Sequence, residues 1–402
     1  MDGDHADLVS REDAAERILD ASSTLLDGQE TTTVAPGDGI RGRTLAQEVI
    51  AGRDVPADDH ATMDGFAFEA PPEYPLEVVD SVYPEDDPPS IEAGEAVRIA
   101  TGAPLPKRAN AVLRSEEAEV ENGRLTGTDV DPGTYTYERG SNVSEGDRLF
   151  ATGERLGAKD AILLDDLSID AVTVYAKLRV GVLATGSEIH EDPSRDNDSM
   201  MLVELLRAWG AEPTFEGTVP DEYDVVRDRI ATLASQYDVV VTTGGTSVGP
   251  KDYVVRALDD LGSIDFHRVR IRPGKPLALA KLDDAVAFAI PGKPIGAYTV
   301  ATLVVRPFFA GETDLPTVKA TCAVDVDVGT ADFEYAIPVE LSNGEAVPLG
   351  HPTSALNVYD QVFDPSVLSS STRASRADGA ILTDSGITAG ETVTVVPSNV
   401  LE

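Results

Sequence analysis

The strongest constraint on this fold is the alternation of apolar runs and helical patterns between residues 178 and 308. The runs LRVGVLATG and DVVVTTGG have apolar centres and end in glycine, which is typical of parallel strands buried on both faces. Helical patterns follow at 198–210, 221–234, 251–260 and 294–308. Regular strand–helix alternation predicts a doubly wound, mostly parallel α/β sheet.

The regions that flank this α/β segment have different patterns. An amphipathic helix is predicted at 10–27, with Ser10 as its cap, a short helix at 44–49 and a third at 155–170. Short alternating runs separated by Pro, Gly and Asp indicate β structure elsewhere. We therefore predict four domains, namely a helical domain (1–50 plus 146–177), an inserted β-rich domain (51–145), the α/β domain (178–315) and a small C-terminal β domain (316–402).

The charge of the chain excludes two classes of partner. Its 32 basic and 71 acidic residues give a net charge of −39. A general nucleic-acid binder needs a basic surface to displace counterions, and anionic membranes repel an acidic one. The acids are spread along the whole chain, which suits either an ordinary acidic protein or, as we favour, a protein from a salt-adapted organism.

Cys322 is the only cysteine in the sequence. It cannot form an intramolecular disulfide, and a cysteine-based metal site is excluded. The acidic N-terminal segment lacks the pattern of a secretion signal, and no apolar run approaches 18 residues. We expect a cytoplasmic protein.

A glycine-rich loop follows the second buried strand. It contains Gly244, Gly245, Ser247 and Gly249 among threonines, and such a loop can aim backbone N–H groups at a phosphate. It matches neither the P-loop nor the dinucleotide fingerprint. The alternative is a tight strand–helix turn without a ligand.

Three carboxylates follow predicted strand ends, where ligands bind in doubly wound sheets. Glu188 follows the first strand, Asp221 begins the helix predicted at 221–234, and Asp252 follows the glycine-rich loop. Together they could form a Mg²⁺ site completed by substrate phosphate oxygens. The two aspartates could instead serve only as N-terminal charges on their helices.

Positive charge is concentrated after position 267. Arg268, Arg270 and Arg272 alternate on what we predict to be one side of an extended strand, and a Pro-Gly turn then presents Lys275. Such a cluster suits an oxyanion or a phosphate. Salt bridging to the abundant acids is the alternative. A second Pro-Gly turn carries Lys293.

These motifs together resemble the molybdopterin molybdenumtransferase family, which comprises the MoeA proteins and the corresponding domain of gephyrin. The resemblance spans nearly the whole chain, in order. It is carried by RDVPADDHATMDGFAF, TGAPLP, VGVLATGSEI, VVVTTGGTSVGPKDY, RPGKP, PGKPIGA and SSSTRASRADGAIL.

The resemblance implies a homodimer whose site lies between the α/β domain of one subunit and the front region of the other. The implied substrates are adenylylated molybdopterin and molybdate, and the implied cofactor is Mg²⁺. The reaction would release AMP and insert molybdenum at the pterin dithiolene. A molybdopterin adenylyltransferase and apo-molybdoenzymes are the implied protein partners.

The family motifs assign roles to individual residues of this chain. The catalytic set is Asp64, Thr101, Glu188, Asp221, Asp252 and Lys275, and its members Glu188, Asp221 and Asp252 are the metal ligands. The substrate-binding set is Gly244, Gly245, Ser247, Gly249, Arg268, Arg272, Pro291, Lys293 and Pro294.

The chain departs from the family at several motif positions. Ala61 stands in a segment where the family commonly has Phe-Asp-Asn-Ser, Ser187 replaces an Asp, and Lys293 replaces an Asn. The motif Asp-Ser-Asn-Ser is Asp-Asn-Asp-Ser at 196–199. These changes leave open a non-enzymatic molybdopterin carrier or scaffold. A molybdopterin adenylyltransferase, which resembles only the α/β domain, is a further alternative, and molybdate and tungstate are not distinguished.

We predict that enzymatic activity rises with salt concentration. The implied substrates are anions, so a protein of charge −39 should repel them in dilute buffer, and salt screens that repulsion. The initial rate between about 0.1 and 3 M KCl tests this expectation. A maximum rate in dilute buffer would contradict it.

Overall fold

The computed structural model describes residues 8–246, 253–329, 332–354, 356–359 and 362–402. The chain divides into two compact units. The main unit comprises Met1–Thr32, Arg41–Thr44 and Val174–Glu402, and the second unit comprises Thr33–Ile40 and Leu45–Thr173.

Helices and strands are numbered in chain order within the described residues. The helices are α1 (Arg11–Leu26), α2 (Asp160–Asp166), α3 (Ser187–Glu191), α4 (Ser199–Ala208), α5 (Tyr223–Ala234), α6 (Tyr253–Leu261), α7 (Pro294–Val300), α8 (Arg306–Ala310) and α9 (Pro365–Leu368). A π-helical stretch, Ala301–Val305, joins α7 to α8.

The strands of the first half of the chain are β1 (Thr31–Val34), β2 (Val49–Ile50), β3 (His60–Ala61), β4 (Gly65–Phe68), β5 (Leu76–Val82), β6 (Glu95–Ile99), β7 (Ala111–Arg114), β8 (Ala118–Glu121), β9 (Arg124–Gly127), β10 (Thr136–Tyr137), β11 (Arg148–Phe150) and β12 (Val172–Tyr175). Those of the second half are β13 (Arg179–Thr185), β14 (Glu212–Val219), β15 (Val239–Thr243), β16 (Gly262–His267), β17 (Ile271–Arg272), β18 (Ala278–Leu282), β19 (Val286–Ile290), β20 (Val318–Cys322), β21 (Glu334–Ser342), β22 (Glu345–Pro348), β23 (Gly379–Thr383) and β24 (Thr392–Pro397).

The main unit contains the predicted doubly wound sheet, in the order β14-β13-β15-β19-β18-β16. Strands β14, β13, β15 and β19 are parallel, and β18 runs antiparallel to both of its neighbours. The prediction of a mostly parallel α/β sheet is confirmed, with β18 as a strand that the sequence pattern did not reveal.

Helices cover both faces of this sheet because its central strands are apolar on both sides. Val180 and Val182 face a core that contains residues of α1, α4 and the α7–α8 segment. Leu183 and Val240 face the other core, with residues of α5 and α6. Every residue of β15 and β19 is buried.

The C-terminal part of the main unit forms a closed barrel. Its strands follow the order β21-β22-β20-β24-β23, and β23 pairs with β21 to close the ring. Strand β17 pairs in parallel with β21, matching Ile271 to Glu334 and Arg272 to Tyr335. The barrel therefore holds the segment that carries Arg272.

The second unit is built mainly from β structure. Its largest sheet has the order β7-β4-β6-β5-β9-β8, and short pairs join β3 to β10 and β2 to β11. Buried side chains lie on both sides of β4, because Phe66 and Phe68 belong to one apolar cluster and Ala67 to another.

Two local predictions are corrected by the structure. The helix predicted at 44–49 is wrong, because the N–H groups of Leu45 and Ala46 bond to the carbonyls of Glu154 and Thr173 instead of to their own segment. The helix predicted at 155–170 is limited to α2. The N-terminal helix α1 belongs to the main unit. The four-domain division remains a prediction.

Within the described residues, no helix is both long enough and apolar enough to cross a membrane.

Replacing Ile18 by Ala should destabilise the main unit by about 2–5 kcal/mol. Ile18 lies on the inner face of α1, is fully buried, and shares a core cluster with Phe308. Urea unfolding followed by circular dichroism gives the change. The matched control is Ile162→Ala, because Ile162 is 74% exposed and its loss should cost less than about 0.5 kcal/mol. Equal losses in the two variants would contradict this account of the core.

Candidate functional site

A cavity of about 560 Å³ opens at the carboxyl ends of β13, β15 and β19. Its volume lies within the range of about 300–1,000 Å³ that is usual for small-molecule sites. The lining residues come from strand-end turns and from the segment around α9, and they are Thr185, Gly186, Glu188, Ile189, Asp221, Gly244, Gly245, Thr246, Arg272, Pro273, Gly274, Lys275, Pro276, Pro291, Gly292, Lys293, Gly296, Pro365, Ser366 and Ser369.

Glycine turns form the floor of this cavity. Gly244 has a φ of +87°, and a Cβ there would lie 2.3 Å from the carbonyl oxygen of Thr185. A Cβ on Gly292 would lie 3.0 Å from the Cα of Gly244. The turns after β13, β15 and β19 therefore pack directly against one another, and no side chain fits between them.

The role of Gly244 differs from the sequence-based expectation of a phosphate-facing amide. Its N–H donates to the carbonyl oxygen of Ile290 at 3.0 Å. The role of Gly244 is thus to allow two turns to approach closely. Gly245, which also lines the cavity, has a φ of +60°.

Glu188 and Asp221 bring two carboxylates to the cavity. Asp221 is held by a reciprocal pair of hydrogen bonds, in which the N–H of Ser187 donates to Asp221 Oδ2 and the N–H of Asp221 donates to Ser187 Oγ, both at 3.1 Å. Ser187, which departs from the family motif, therefore serves to orient Asp221.

These two carboxylates fit a Mg²⁺ ion whose coordination is completed by a bound substrate. Mg²⁺ is usually held by one or two carboxylates together with substrate phosphates and waters. Among the described residues, no group of three or more His, Cys, Asp or Glu side chains is placed to hold a metal ion. A metal cage made wholly of these protein ligands is thus not present in that part of the chain.

Three cationic side chains line the same cavity. The guanidinium carbon of Arg272 lies 4.0 Å from the ring centroid of Phe333, and Lys275 Nζ lies 5.6 Å from it. Lys293 Nζ donates to the carbonyl oxygen of Ser366 at 3.2 Å. The C-terminal part of the chain thereby orients cations that arise in the α/β segment.

The predicted one-sided row of arginines is wrong. Strand β16 ends at His267, and Arg268 has a φ of +82°, which breaks the alternation on which the row depended. Arg272 alone of the three lines the cavity, on a strand of a different sheet. Arg268 is half-buried, whereas Arg270 is exposed.

The remaining predicted residues of the main unit are divided between the cavity and other positions. Pro291 lines the cavity, and Pro294 begins α7 just beyond Lys293. Ser247, Gly249 and Asp252 lie outside the described residues.

Asp64 and Thr101 lie together in the second unit. Asp64 Oδ1 accepts hydrogen bonds from the backbone N–H of Thr101 at 2.6 Å and from its hydroxyl at 2.7 Å. These bonds to the charged form lower the pKa of Asp64 below its usual value, the backbone bond most strongly. Asp64 is therefore ionised at neutral pH.

Sequence reasoning missed the residues that orient the cations. Phe333 is a buried aromatic in the barrel, and nothing in its local pattern sets it apart from a core residue. Ser369 begins the SSSTRASR segment, which was part of the family resemblance, and it lines the cavity. Ser366 has no such signal.

Comparison with known families identifies both halves of the chain. Residues 9–167 match the MoeA N-terminal region (domain I and II), and residues 181–311 match a probable molybdopterin-binding domain.

Curated relatives and a solved structure extend this match to most of the chain. A molybdopterin molybdenumtransferase of Haemophilus influenzae is 29% identical, over 89% of this chain and 91% of the relative. One from Bacillus subtilis is 32% identical, over 69% of this chain and 70% of the relative. The crystal structure of a molybdopterin biosynthesis MoeA protein from Pyrococcus horikoshii superposes with a TM-score of 0.72 at 28% identity, over 97% of this chain and 99% of that one. The chain belongs to the molybdopterin molybdenumtransferase (MoeA) family.

Proposed function

We propose that this chain is an enzyme of molybdenum cofactor biosynthesis, a molybdopterin molybdenumtransferase. The observation that carries the proposal is a single cavity that gathers Glu188 and Asp221 together with Arg272, Lys275 and Lys293. Carboxylates and cations in one site suit a substrate that bears phosphate groups and a metal oxyanion. The MoeA relatives support the same assignment.

The finer proposal is that the substrate is adenylylated molybdopterin and that the reaction releases AMP. Glu188 and Asp221 would hold a Mg²⁺ ion, with Asp252 as a third candidate ligand. Bound there, Mg²⁺ would neutralise the charge of the phosphoanhydride and of its leaving group. Ser187 keeps the Asp221 carboxylate in place through its reciprocal bonds.

Arg272, Lys275 and Lys293 would hold the anionic groups. Arg272 offers a planar fork of donors, which suits two oxygens at once, whereas each lysine acts as a point charge. Phe333 supports Arg272 and Lys275 from the barrel side. Arg268 and Pro294 remain candidates for the wider substrate-binding region.

The wider biological setting belongs to the same proposal. It includes a homodimer in which Asp64 and Thr101 act on a partner's cavity, a cytoplasmic location and a salt-adapted source. It also includes a molybdopterin adenylyltransferase as supplier of the substrate and apo-molybdoenzymes as recipients of the product. The family resemblance and the composition of the chain support these points.

A reconstitution with purified protein tests the function directly. Adenylylated molybdopterin, molybdate and Mg²⁺ in high salt should yield AMP and molybdenum-loaded cofactor, and removal of Mg²⁺ with EDTA should stop AMP release. Tungstate in competition measures metal choice. Tight binding of molybdopterin without turnover would favour the carrier, and formation of adenylylated molybdopterin from ATP and free molybdopterin would favour the adenylyltransferase.

Lys275→Ala should lower kcat/KM by about ten- to a hundredfold, because it removes a charged donor from the cavity. Lys281→Ala is the matched control. Lys281 lies on β18 with a half-exposed side chain, 3.5 Å from Asp265, and exposed pairs contribute little. Steady-state AMP release measures both variants. An unchanged rate in Lys275→Ala would remove that cation from the site.

A further inference from the structure

The carboxyl group of Asp198 is buried beside the strand end that leads into the cavity. Asp198 immediately precedes α4 and is 3% exposed. Its side chain makes no capping bond to that helix. The first N–H groups there donate to Asp196 Oδ1 instead, from Asp198 at 3.3 Å and from Ser199 at 3.0 Å. Because Asp196 accepts these bonds, the Asp198 carboxyl does not serve as the helix cap.

The Asp198 carboxyl instead takes part in one buried hydrogen bond. Thr243 Oγ1 donates to Asp198 Oδ2 at 2.5 Å. Thr243 is fully buried, so water cannot replace the lost partner if the carboxyl is removed. The conformation of the Thr243 side chain therefore depends on Asp198.

Thr243 is the last residue of β15 and joins the turns of the cavity. Its carbonyl oxygen accepts a bond from Thr185 Oγ1 at 3.2 Å. Its own hydroxyl oxygen lies 3.9 Å from the point where a Cβ on Gly292 would stand. Gly244 follows it directly, and Gly244 packs on both neighbouring turns. A shift of Thr243 would accordingly move the floor of the cavity.

We propose that Asp198 is a positioning residue, which acts through Thr243 to hold the Gly244–Gly245 turn in the geometry that substrate binding requires. The proposal rests on the function proposed above, because it takes the turn as part of the substrate site. Asp198 itself touches neither substrate nor metal in this scheme.

The ionisation of Asp198 gives the proposal a pH-dependent signature. Burial raises the pKa of Asp198 to about 6, and the Asp196 carboxyl facing it from the preceding loop adds to the rise, whereas the Thr243 hydroxyl opposes it. Within the described residues, Asp196 is the charged group that acts on Asp198, and β15 contributes only the hydroxyl. An ionised acceptor makes the stronger hydrogen bond, so the hold on Thr243 should weaken as pH falls through 6.

Steady-state kinetics of AMP release test the proposal. Asp198→Ala and Thr243→Val should each raise the KM for adenylylated molybdopterin by about ten- to a hundredfold. The double variant should be no worse than either single one, because both remove the same bond. Asp198→Asn keeps an acceptor oxygen and should stay within about twofold at pH 7.5. As pH falls from 7 to 5, the wild-type KM should rise by the same factor of up to about twofold, until it equals that of Asp198→Asn, which has no charge at this position to lose.

Thr242→Val is the matched control. Thr242 is the preceding residue of β15, points to the opposite face of the sheet, and contacts the carbonyl oxygen of Phe288 at 3.4 Å. It is as buried as Thr243. Its replacement should leave KM unchanged, which separates positioning of the turn from a general effect on the strand.

Two further measurements need no turnover. Amide hydrogen exchange at 244–246 should be faster in Asp198→Ala and Thr243→Val, and unchanged in Asp198→Asn and Thr242→Val. Asp198→Asn should also raise Tm at pH 8 and not at pH 4. The folded-state pKa lies above the ordinary value of 3.8, so the ionised carboxyl lowers stability as pH rises from about 4 to 6, and the amide removes that cost.

The outcomes for the two proposals are distinguishable. Absence of AMP release from the wild-type protein overturns the proposed function, and hydrogen exchange then still decides the role of Asp198. Wild-type exchange and wild-type KM in Thr243→Val overturn the role of Asp198, even if Asp198→Ala fails to fold. Equal effects of Thr242→Val and Thr243→Val overturn it as well.

Discussion

The structure of the site depends on the close approach of three strand-end turns. Parallel pairing places the ends of β13, β15 and β19 side by side. Gly244 and Gly292 then allow the turns to touch without side chains between them. Because the floor is backbone packed on backbone, it cannot shift at one turn without the others, and the side chains that chemistry needs project from a rigid base.

The net negative charge of the chain is the second constraint, and a local group of cations offsets it at the cavity. A chain of net charge −39 repels the anions that its family handles. In the structure, Arg272, Lys275 and Lys293 line one cavity and place positive charge there. Two of these cations lie over Phe333, and the third is bonded to a carbonyl of the α9 segment. The C-terminal part of the chain thus helps to maintain a positive region within an acidic protein.

The fold was predictable where the sequence signal is periodic and long. The buried runs of β13 and β15 and the helices α4 and α5 lie where the pattern placed them, because apolar periodicity directly reflects burial. Prediction failed for short segments. Residues 44–49 have a helix-compatible pattern, but long-range bonds to Glu154 and Thr173 determine their conformation. Arg268 adopts a positive φ that the residue pattern did not predict.

For the site, the sequence by itself determined which residue types are available at strand ends, because an open parallel sheet binds ligands at that edge. It therefore identified Glu188, Asp221, Lys275 and Lys293. Only the tertiary structure decided how they are held. The hydrogen bonds from Ser187 to Asp221 and from Thr243 to Asp198 join residues 34 and 45 positions apart, and Phe333 contacts cations more than 50 positions away. Such contacts depend on how sheets and helices pack, and packing is a property of the whole chain that local pattern does not encode.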